Sequence, residues 1–391
     1  MEKLIYLDSG ATTFPKPEEV YVAMDQFFRN YGVNPGRSGY DLCMIAGSMV
    51  EETRKLLTTF FNGTDPNRLI FASNATDAIN LAIFGLLKEG DHVITSNIEH
   101  NSVLRPLFLL YKYGGVEVDH IPFDNQGFVD PEEFARRFKN NTKLVAINHC
   151  SNVIGTVQPI QEIGELCRER GIILLVDTAQ SAGKIPIDME KMYVDVVAFT
   201  GHKSLMGPMG TGGLYVREGV EIRHTRAGGT GVRSAVRTHL DEYPYRLEYG
   251  TPNLPGIAGL NAGVKWLINK GMSNIHEHEM QLLRMLRDGL QEIDGVILYC
   301  QDNLVNHIGI LTFNVEGLEA GDTGTMLDVD YNIAARTGLH CAPLVHRQLG
   351  TDKIHGSVRF GVGPFNTVQD IESAIRAVGN IARIRQKQKV N

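Results

Sequence analysis

Cysteine is scarce in this chain, with five in 391 residues, at Cys43, Cys150, Cys167, Cys300 and Cys341. The number is odd, the positions are scattered and no pair has metal-ligand spacing. That argues against a disulfide framework and for free thiols in a reducing compartment. Long apolar runs are missing too. None approaches the ~18 residues that a membrane helix needs, and the start, Met1 to Asp8, meets an acid before any signal-peptide core could form. Positive charge is not in excess, since 38 Lys and Arg face 45 Asp and Glu for a formal net charge of −7. Such a chain has no general attraction to nucleic acid or an anionic membrane. Repeats are absent, and only the run from Arg383 to Lys389 reads as a solvated end. His276-Glu277-His278-Glu279 lacks the spacing that puts two histidines on one helix face, so no metal is expected. Gly207 to Gly213 lacks the lysine–Ser/Thr pair of a P-loop and reads as a turn into a strand. The expectation is a cytoplasmic protein that contacts neither nucleic acid nor membrane.

What is present is a large apolar fraction, 43%, on a chain long enough for two domains. From Arg68 onward, short apolar runs alternate with helical patterns. Strands are expected at 69–72, 92–95, 116–122, 144–148, 172–176, 196–199 and 212–216. Helices are expected at 75–87, 102–113, 131–138 and 160–170. The last of these has Pro159 at its start and Gly171 just past its end. This alternation predicts an α/β fold with a mostly parallel sheet. Before it lie a short strand at 4–7, helices at 18–28 and 44–61, and a turn-rich loop at 31–39, long enough to be functional. The rhythm changes after Pro255. Helices at 257–270, 273–293, 324–330 and 367–386, with strands at 296–299, 308–315 and 358–362, predict a smaller α+β domain. The expected division is 15–255 for the large domain, and 1–14 with 256–391 for the small one, the helix at 257–270 bridging them.

The stretch from Ile172 to Lys203 organises the chemistry. Two buried apolar runs each end in a polar group, Asp177 and Lys203. A connector about long enough for a crossover separates them, so the strands can lie parallel and share one C-terminal rim. A lysine there can form a Schiff base, and an aspartate there can pair with a pyridinium nitrogen. Thr200 and His202 sit beside the lysine, and Gln180 one short turn past the acid. Ala75 and Thr76, in Ser73-Asn74-Ala75-Thr76-Asp77, mark a strand-to-helix junction that is either an anion site or a simple N-cap. His100 follows another strand end and either stacks on a flat ring or lies at the surface. Asn152 is a polar group after a strand or a turn former. Arg359 sits in a buried strand and needs an anion, either a ligand carboxylate or a structural acid. Cys341 lies in a short loop between Arg336 and His340, whose charge would favour a thiolate, or else is a core cysteine.

Together, Asp177-Thr178-Ala179-Gln180, Thr200-Gly201-His202-Lys203 and Arg336-Thr337-Gly338-Leu339-His340-Cys341 resemble the class V aminotransferase group of pyridoxal-phosphate enzymes. The nearest subset is the cysteine desulfurases and selenocysteine lyases. The resemblance runs from Tyr6-Leu7-Asp8-Ser9-Gly10-Ala11 to Arg359. It implies fold type I and a homodimer. Lys203 would hold pyridoxal 5'-phosphate as a Schiff base, Asp177 would pair with the pyridine nitrogen, Gln180 would bond the phenolic oxygen and His100 would stack on the ring. Ala75, Thr76, Thr200 and His202 would bind the phosphate, joined by Thr251 of the partner subunit. Asn152, which would also touch the cofactor, and Arg359 would position an amino-acid substrate, Arg336 would line the pocket, His100 would share in catalysis with Lys203, and Cys341 would accept sulfur for delivery to a sulfur or selenium acceptor protein. The chain departs from the group at Ser204-Leu205-Met206-Gly207-Pro208, in a somewhat short loop from Gly228 to Gly250, and at Asn34-Pro35-Gly36-Arg37-Ser38. These departures bear on substrate and acceptor more than on cofactor. The implied reaction is conversion of L-cysteine to L-alanine. Lysis of selenocysteine, or transamination or β-elimination of another amino acid, are the alternatives.

Overall fold

The computed structural model describes residues 4–35, 39–300 and 302–390. Met1 to Lys3, Gly36-Arg37-Ser38 of the turn-rich loop, and the side chains of the charged end from 385 on lie outside the described residues. The chain opens with β1 (Ile5–Tyr6), α1 (Glu18–Tyr31) and α2 (Asp41–Phe60). The alternating region follows as β2 (Leu69–Ala72), α3 (Ala75–Leu86), β3 (His92–Ser96), α4 (Asn101–Tyr113), β4 (Glu117–Ile121), α5 (Pro131–Arg137), β5 (Thr142–Asn148), α6 (Ile160–Arg170), β6 (Ile173–Asp177), β7 (Val196–Thr200) and β8 (Gly212–Val216). After it come α7 (Leu254–Lys270), α8 (Met272–Gln291), β9 (Val296–Leu298), β10 (Ile310–Val315), α9 (Ala320–Tyr331), β11 (Ile333–Ala334), β12 (Arg336–Gly338), α10 (Pro343–Leu349), β13 (Ser357–Gly361) and α11 (Val368–Val390).

The central sheet has seven strands in the order β2-β8-β7-β6-β5-β3-β4. Its middle strands carry continuous apolar runs because both faces are covered. Val145, Ile147, Leu174, Val176, Val197 and Phe199 enter the core on one face, whereas Leu144, Ala146, Leu175, Val196 and Ala198 enter the core on the other. The period of two that this requires is hidden in sequences such as Ile-Leu-Leu-Val, where both faces want the same residue type. Helix α6 has the expected bounds, and Gly171, at φ 65°, closes it by donating its N–H to Cys167 and Arg168 carbonyls.

The mostly parallel sheet is as expected, and two details add to it. Strand β8 runs antiparallel to both its neighbours, β2 and β7, since a short turn returns the chain directly from the end of β7. The connector from β6 to β7 contains no helix and crosses as a series of turns, although the two strands are parallel and adjacent as predicted. A second sheet, antiparallel in the order β12-β13-β10-β9, shares an apolar core with α8 and α11. Strand β1 pairs in parallel with β11, and α7 packs along α1 and α2.

One buried ion pair crosses between these parts. Lys184, in the helix-free connector, bonds Glu279 on α8, and both are buried. Burial drives the Glu279 carboxyl upward while Lys184 opposes it. Removing one member of such a pair leaves a bare buried charge, so Glu279→Ala is expected to lower unfolding free energy by about 3–5 kcal/mol. Denaturant titration measures it, and a loss under ~1 kcal/mol would show that the pair is solvated in solution.

Candidate active site

Three parallel strand ends build the site. Asn148, Asp177 and Ala198 stand side by side in the registers of β5, β6 and β7, and the chain continues past β7 through Thr200 to Lys203. Because β8 is antiparallel, its first residue also reaches this rim, Gly212 opposite Thr200. A Cβ at Gly212 would lie 2.7 Å from the Asn74 Cα, so only glycine lets the start of α3 approach. Asn74 caps that helix by accepting the Asp77 N–H at 2.9 Å.

A cavity of about 490 Å³ opens at the rim. It is lined by Ala75, Thr76, His100, Asn152, Asp177, Gln180, Thr200, His202, Lys203, Arg336 and Arg359, all singled out in the sequence. Thr251 does not line it and is exposed in this chain. Cys341 is exposed beside the cavity, which excludes the core-cysteine reading. Its Sγ lies 3.8 Å from Arg336 Nη2, and its carbonyl accepts the Asn101 N–H at the start of α4, at 2.7 Å. His340 and Cys341 both have left-handed backbone, with φ 50° and 58°, which turns the chain sharply from β12 into α10.

Burial sets the protonation states. Lys203 is pushed down to about 8, chiefly by desolvation, with Arg359 and Arg336 adding to the fall and Asp177 and Asp8 opposing it. Desolvation raises the Asp177 carboxyl, opposed by the Ala179 N–H and by Lys203. His100 is pushed down to about 4 by burial and by the nearby cations. It is therefore neutral at pH 7, and its Nδ1 accepts the Ser102 N–H at 3.0 Å. His202 falls to about 4 as well.

Several buried polar atoms around the cavity have no partner in the protein: Thr200 Oγ1, His202 Nδ1, Gln180 Oε1, Asn152 Oδ1 and Arg359 Nε. Buried polar groups are rarely left so, and their clustering marks the place of a polar ligand. Thr76, Thr200, His202 and the first turn of α3 suit a phosphate. Asp177 with Lys203 suits an aromatic aldehyde bearing a ring nitrogen. The residues present thus fit pyridoxal phosphate. Arg359 proves to have a structural acid, since Asp8 Oδ1 accepts from its Nη2 at 2.8 Å.

The segment from Asp8 to Lys16 has no role in the sequence analysis beyond Asp8 to Ala11 marking one end of the resemblance. It runs across the site as a strap. Gly10 O accepts from Gln180 Nε2 at 2.9 Å. Thr12 and Thr13 donate their hydroxyls to the carbonyls of His202 and Lys203 at 2.9 and 3.0 Å. Lys16 Nζ donates to the His202 carbonyl at 2.5 Å. Its partners lie some 170 to 350 residues away, so no local pattern announces it. The turn at Asp8-Ser9-Gly10 after a short strand is its only signal.

The comparisons agree with this geometry. The model of the family described as "Aminotransferase class-V" matches residues 5–373, and the chain belongs to that family. A probable cysteine desulfurase of Pyrococcus abyssi is 34% identical over 390 residues, covering 98% of this chain and 95% of the relative. The cysteine desulfurase of Shigella flexneri is 32% identical over 391 residues, covering 97% and 94%. Among solved structures, the apo cysteine desulfurase of Thermococcus onnurineus superposes with a TM-score of 0.91 at 34% identity, over 97% of this chain and 95% of that one. The fold is that of the pyridoxal-phosphate enzymes of fold type I, as expected.

Glu99 gives this site a pH signature. It is fully buried, accepts the Ser96 hydroxyl at 2.5 Å, and is pushed up to about 8 by burial, with Asp177 adding to the rise. In the unfolded chain a glutamate titrates near ~4.3. The folded state therefore holds the extra proton, and stability falls as pH rises from the unfolded value through about 8. Glu99→Gln removes this dependence. Thermal unfolding from pH 5 to 9 should show the variant gaining on the wild type as pH rises. A constant difference across that range would mean that Glu99 is not held neutral.

Proposed function

We propose that this protein is a pyridoxal-phosphate-dependent cysteine desulfurase that moves sulfur from L-cysteine to Cys341 and releases L-alanine. The observation that carries the reading is an exposed thiol, 3.8 Å from a guanidinium, beside a cavity that holds a half-buried lysine and a buried aspartate. Class V aminotransferases and cysteine desulfurases work with pyridoxal phosphate. Asp177 would face the ring nitrogen, Gln180 the phenolic oxygen and His100 the ring plane. Ala75, Thr76, Thr200 and His202 would hold the phosphate together with Thr251 of the partner subunit. When bound, the cofactor supplies an electron sink for the carbon next to the substrate amine.

The chain supplies the rest. Lys203, at about 8, is partly neutral at physiological pH, so its amine can take the Cα proton. Asn152 and Arg359 orient the substrate and Arg359 holds its carboxylate. The Cys341 thiolate, with Arg336 beside it, attacks the substrate sulfur. An S–S bond forms as the Cβ–S bond breaks, the bonding pair stays on Cβ, Cβ takes a proton, and a proton returns to Cα. Alanine leaves and Cys341 carries a persulfide, which a thiol of an acceptor protein then removes.

Other features support the wider reading. Phe28, Tyr40, Leu42, Met44 and Ile45 are exposed on and beside α1 and α2, an apolar surface suited to a second copy in a homodimer. The pairing of β1 with β11 supports assigning 1–14 to the small domain with 256–391, leaving 15–255 as the large one. Free thiols at Cys150, Cys167, Cys300 and Cys341 suit a reducing cytoplasm. Among the described residues no helix is long and apolar enough to cross a membrane.

The test is a product assay with L-cysteine and L-selenocysteine, scoring alanine, sulfide and selenide. Wild-type enzyme is expected to give alanine from cysteine, and sulfide when a thiol reductant is present to cleave the persulfide. Cys341→Ala should lose roughly 100-fold or more of that turnover while the bound cofactor's absorbance persists. Turnover of selenocysteine alone would assign a selenocysteine lyase, and pyruvate in place of alanine would assign a β-elimination.

A further inference from the structure

The arginine read above as the carboxylate anchor already holds a carboxylate. Asp8 Oδ1 accepts from Arg359 Nη2 at 2.8 Å, and the Asn152 carbonyl accepts from Nη1 at 2.8 Å. Nε is buried without a partner. We propose that Asp8 is a specificity-determining residue, a fixed resident carboxylate that loosens the grip of Arg359 on incoming carboxylates and selects ligands that carry only one.

The backbone of Asp8 is fixed beside Arg359. The backbone around it is joined to β13, the strand that carries Arg359, with Gly361 N–H donating to the Leu7 carbonyl at 2.7 Å and Ser9 N–H donating to the Gly361 carbonyl at 3.1 Å. The Ala11 N–H and the Tyr6 hydroxyl bond the Asp8 carbonyl at 2.9 and 3.2 Å. Gly10 presses on the guanidinium itself, since a Cβ there would lie 3.1 Å from Arg359 Cζ and Nη2. An incoming carboxylate therefore meets Arg359 with a resident carboxylate already on its Nη2.

The charges around this point can be counted. Arg336 faces Arg359 across the β12–β13 pair, and both line the cavity. Counted among themselves, the two guanidinium groups and Asp8 leave one positive charge, with the Lys203–Asp177 pair and the Cys341 sulfur outside the count. A single substrate carboxylate neutralises it, whereas a second carboxylate has no cation and is repelled in a low-dielectric site. Without Asp8 there would be two positive charges, and both the strength and the selectivity of binding would change. This holds apart from the sulfur chemistry, but it rests on Arg359 being the carboxylate anchor.

The test uses the holoenzyme and two probes of equal size, L-asparagine and L-aspartate, titrated by the bound cofactor's absorbance. Wild type should bind aspartate about tenfold more weakly than asparagine or worse. Asp8→Asn keeps an acceptor for Nη2 and removes only the charge. It should bind both probes about fivefold tighter or more, with the larger gain for aspartate. A merely structural loss would weaken binding instead. Unchanged or weaker binding by Asp8→Asn overturns the proposal. If that variant does not fold, equal affinity of the wild type for the two probes still overturns it. Arg359→Lys separates the two claims. Loss of both probes there, with no gain in Asp8→Asn, overturns the Asp8 proposal alone. Wild-type affinity in Arg359→Lys overturns the anchor reading and the proposal with it.

Discussion

A one-residue slip between β6 and either neighbour would turn Asp177 away from the rim it shares with Asn148 and with the segment leading to Lys203, and the site depends on that register above all else. Period-two side-chain direction makes such a slip costly, because it would exchange the residues of both cores at once. Leu174 and Val176 would leave the core on one face and Leu175 the core on the other. The same close packing that stabilises the sheet thus sets the acid and the amine at one edge. Burial does the chemical tuning there, lowering Lys203 and raising Asp177, while each group's charge limits the shift of the other.

Over this frame lies the strap from Asp8 to Lys16, which bonds the backbone carbonyls of His202 and Lys203 and the side chains of Gln180 and Arg359. It ties the second sheet, through β13, to the loop that carries the lysine. The cofactor half of the site and the carboxylate half are therefore held by one short segment. Cys341 stands outside this rigid set, exposed on a left-handed turn, which suits a group that must meet the substrate and then an acceptor.

Much of this could be read from sequence because the decisive signals are local. Each apolar run followed by a polar residue marked a strand end. Pro159 and Gly171 marked the ends of α6, and Arg359 within an apolar strand announced a buried cation. The direction of β8 was not legible, since Gly212 to Val216 reads the same whichever way it runs and only the short return from β7 decides it. Nor was the absence of a helix between β6 and β7, because a connector of that length fits a helix equally well. Short elements such as β12 and α10 owe their form to tertiary contacts around Arg336 and Cys341 rather than to any periodicity. The roles of Asp8, Thr12, Thr13 and Lys16 depend on partners distant in sequence, and Glu99 looked like one more polar residue beside His100.

The central claim is that Lys203 is the amine that holds the cofactor. Lys16 is a real competitor, since burial also pushes it down to about 8 and its Nζ bonds the His202 carbonyl. Borohydride reduction of the holoenzyme followed by peptide mapping distinguishes them. The account predicts a single pyridoxyl adduct on Lys203. An adduct on Lys16, on another lysine, or on none would contradict it.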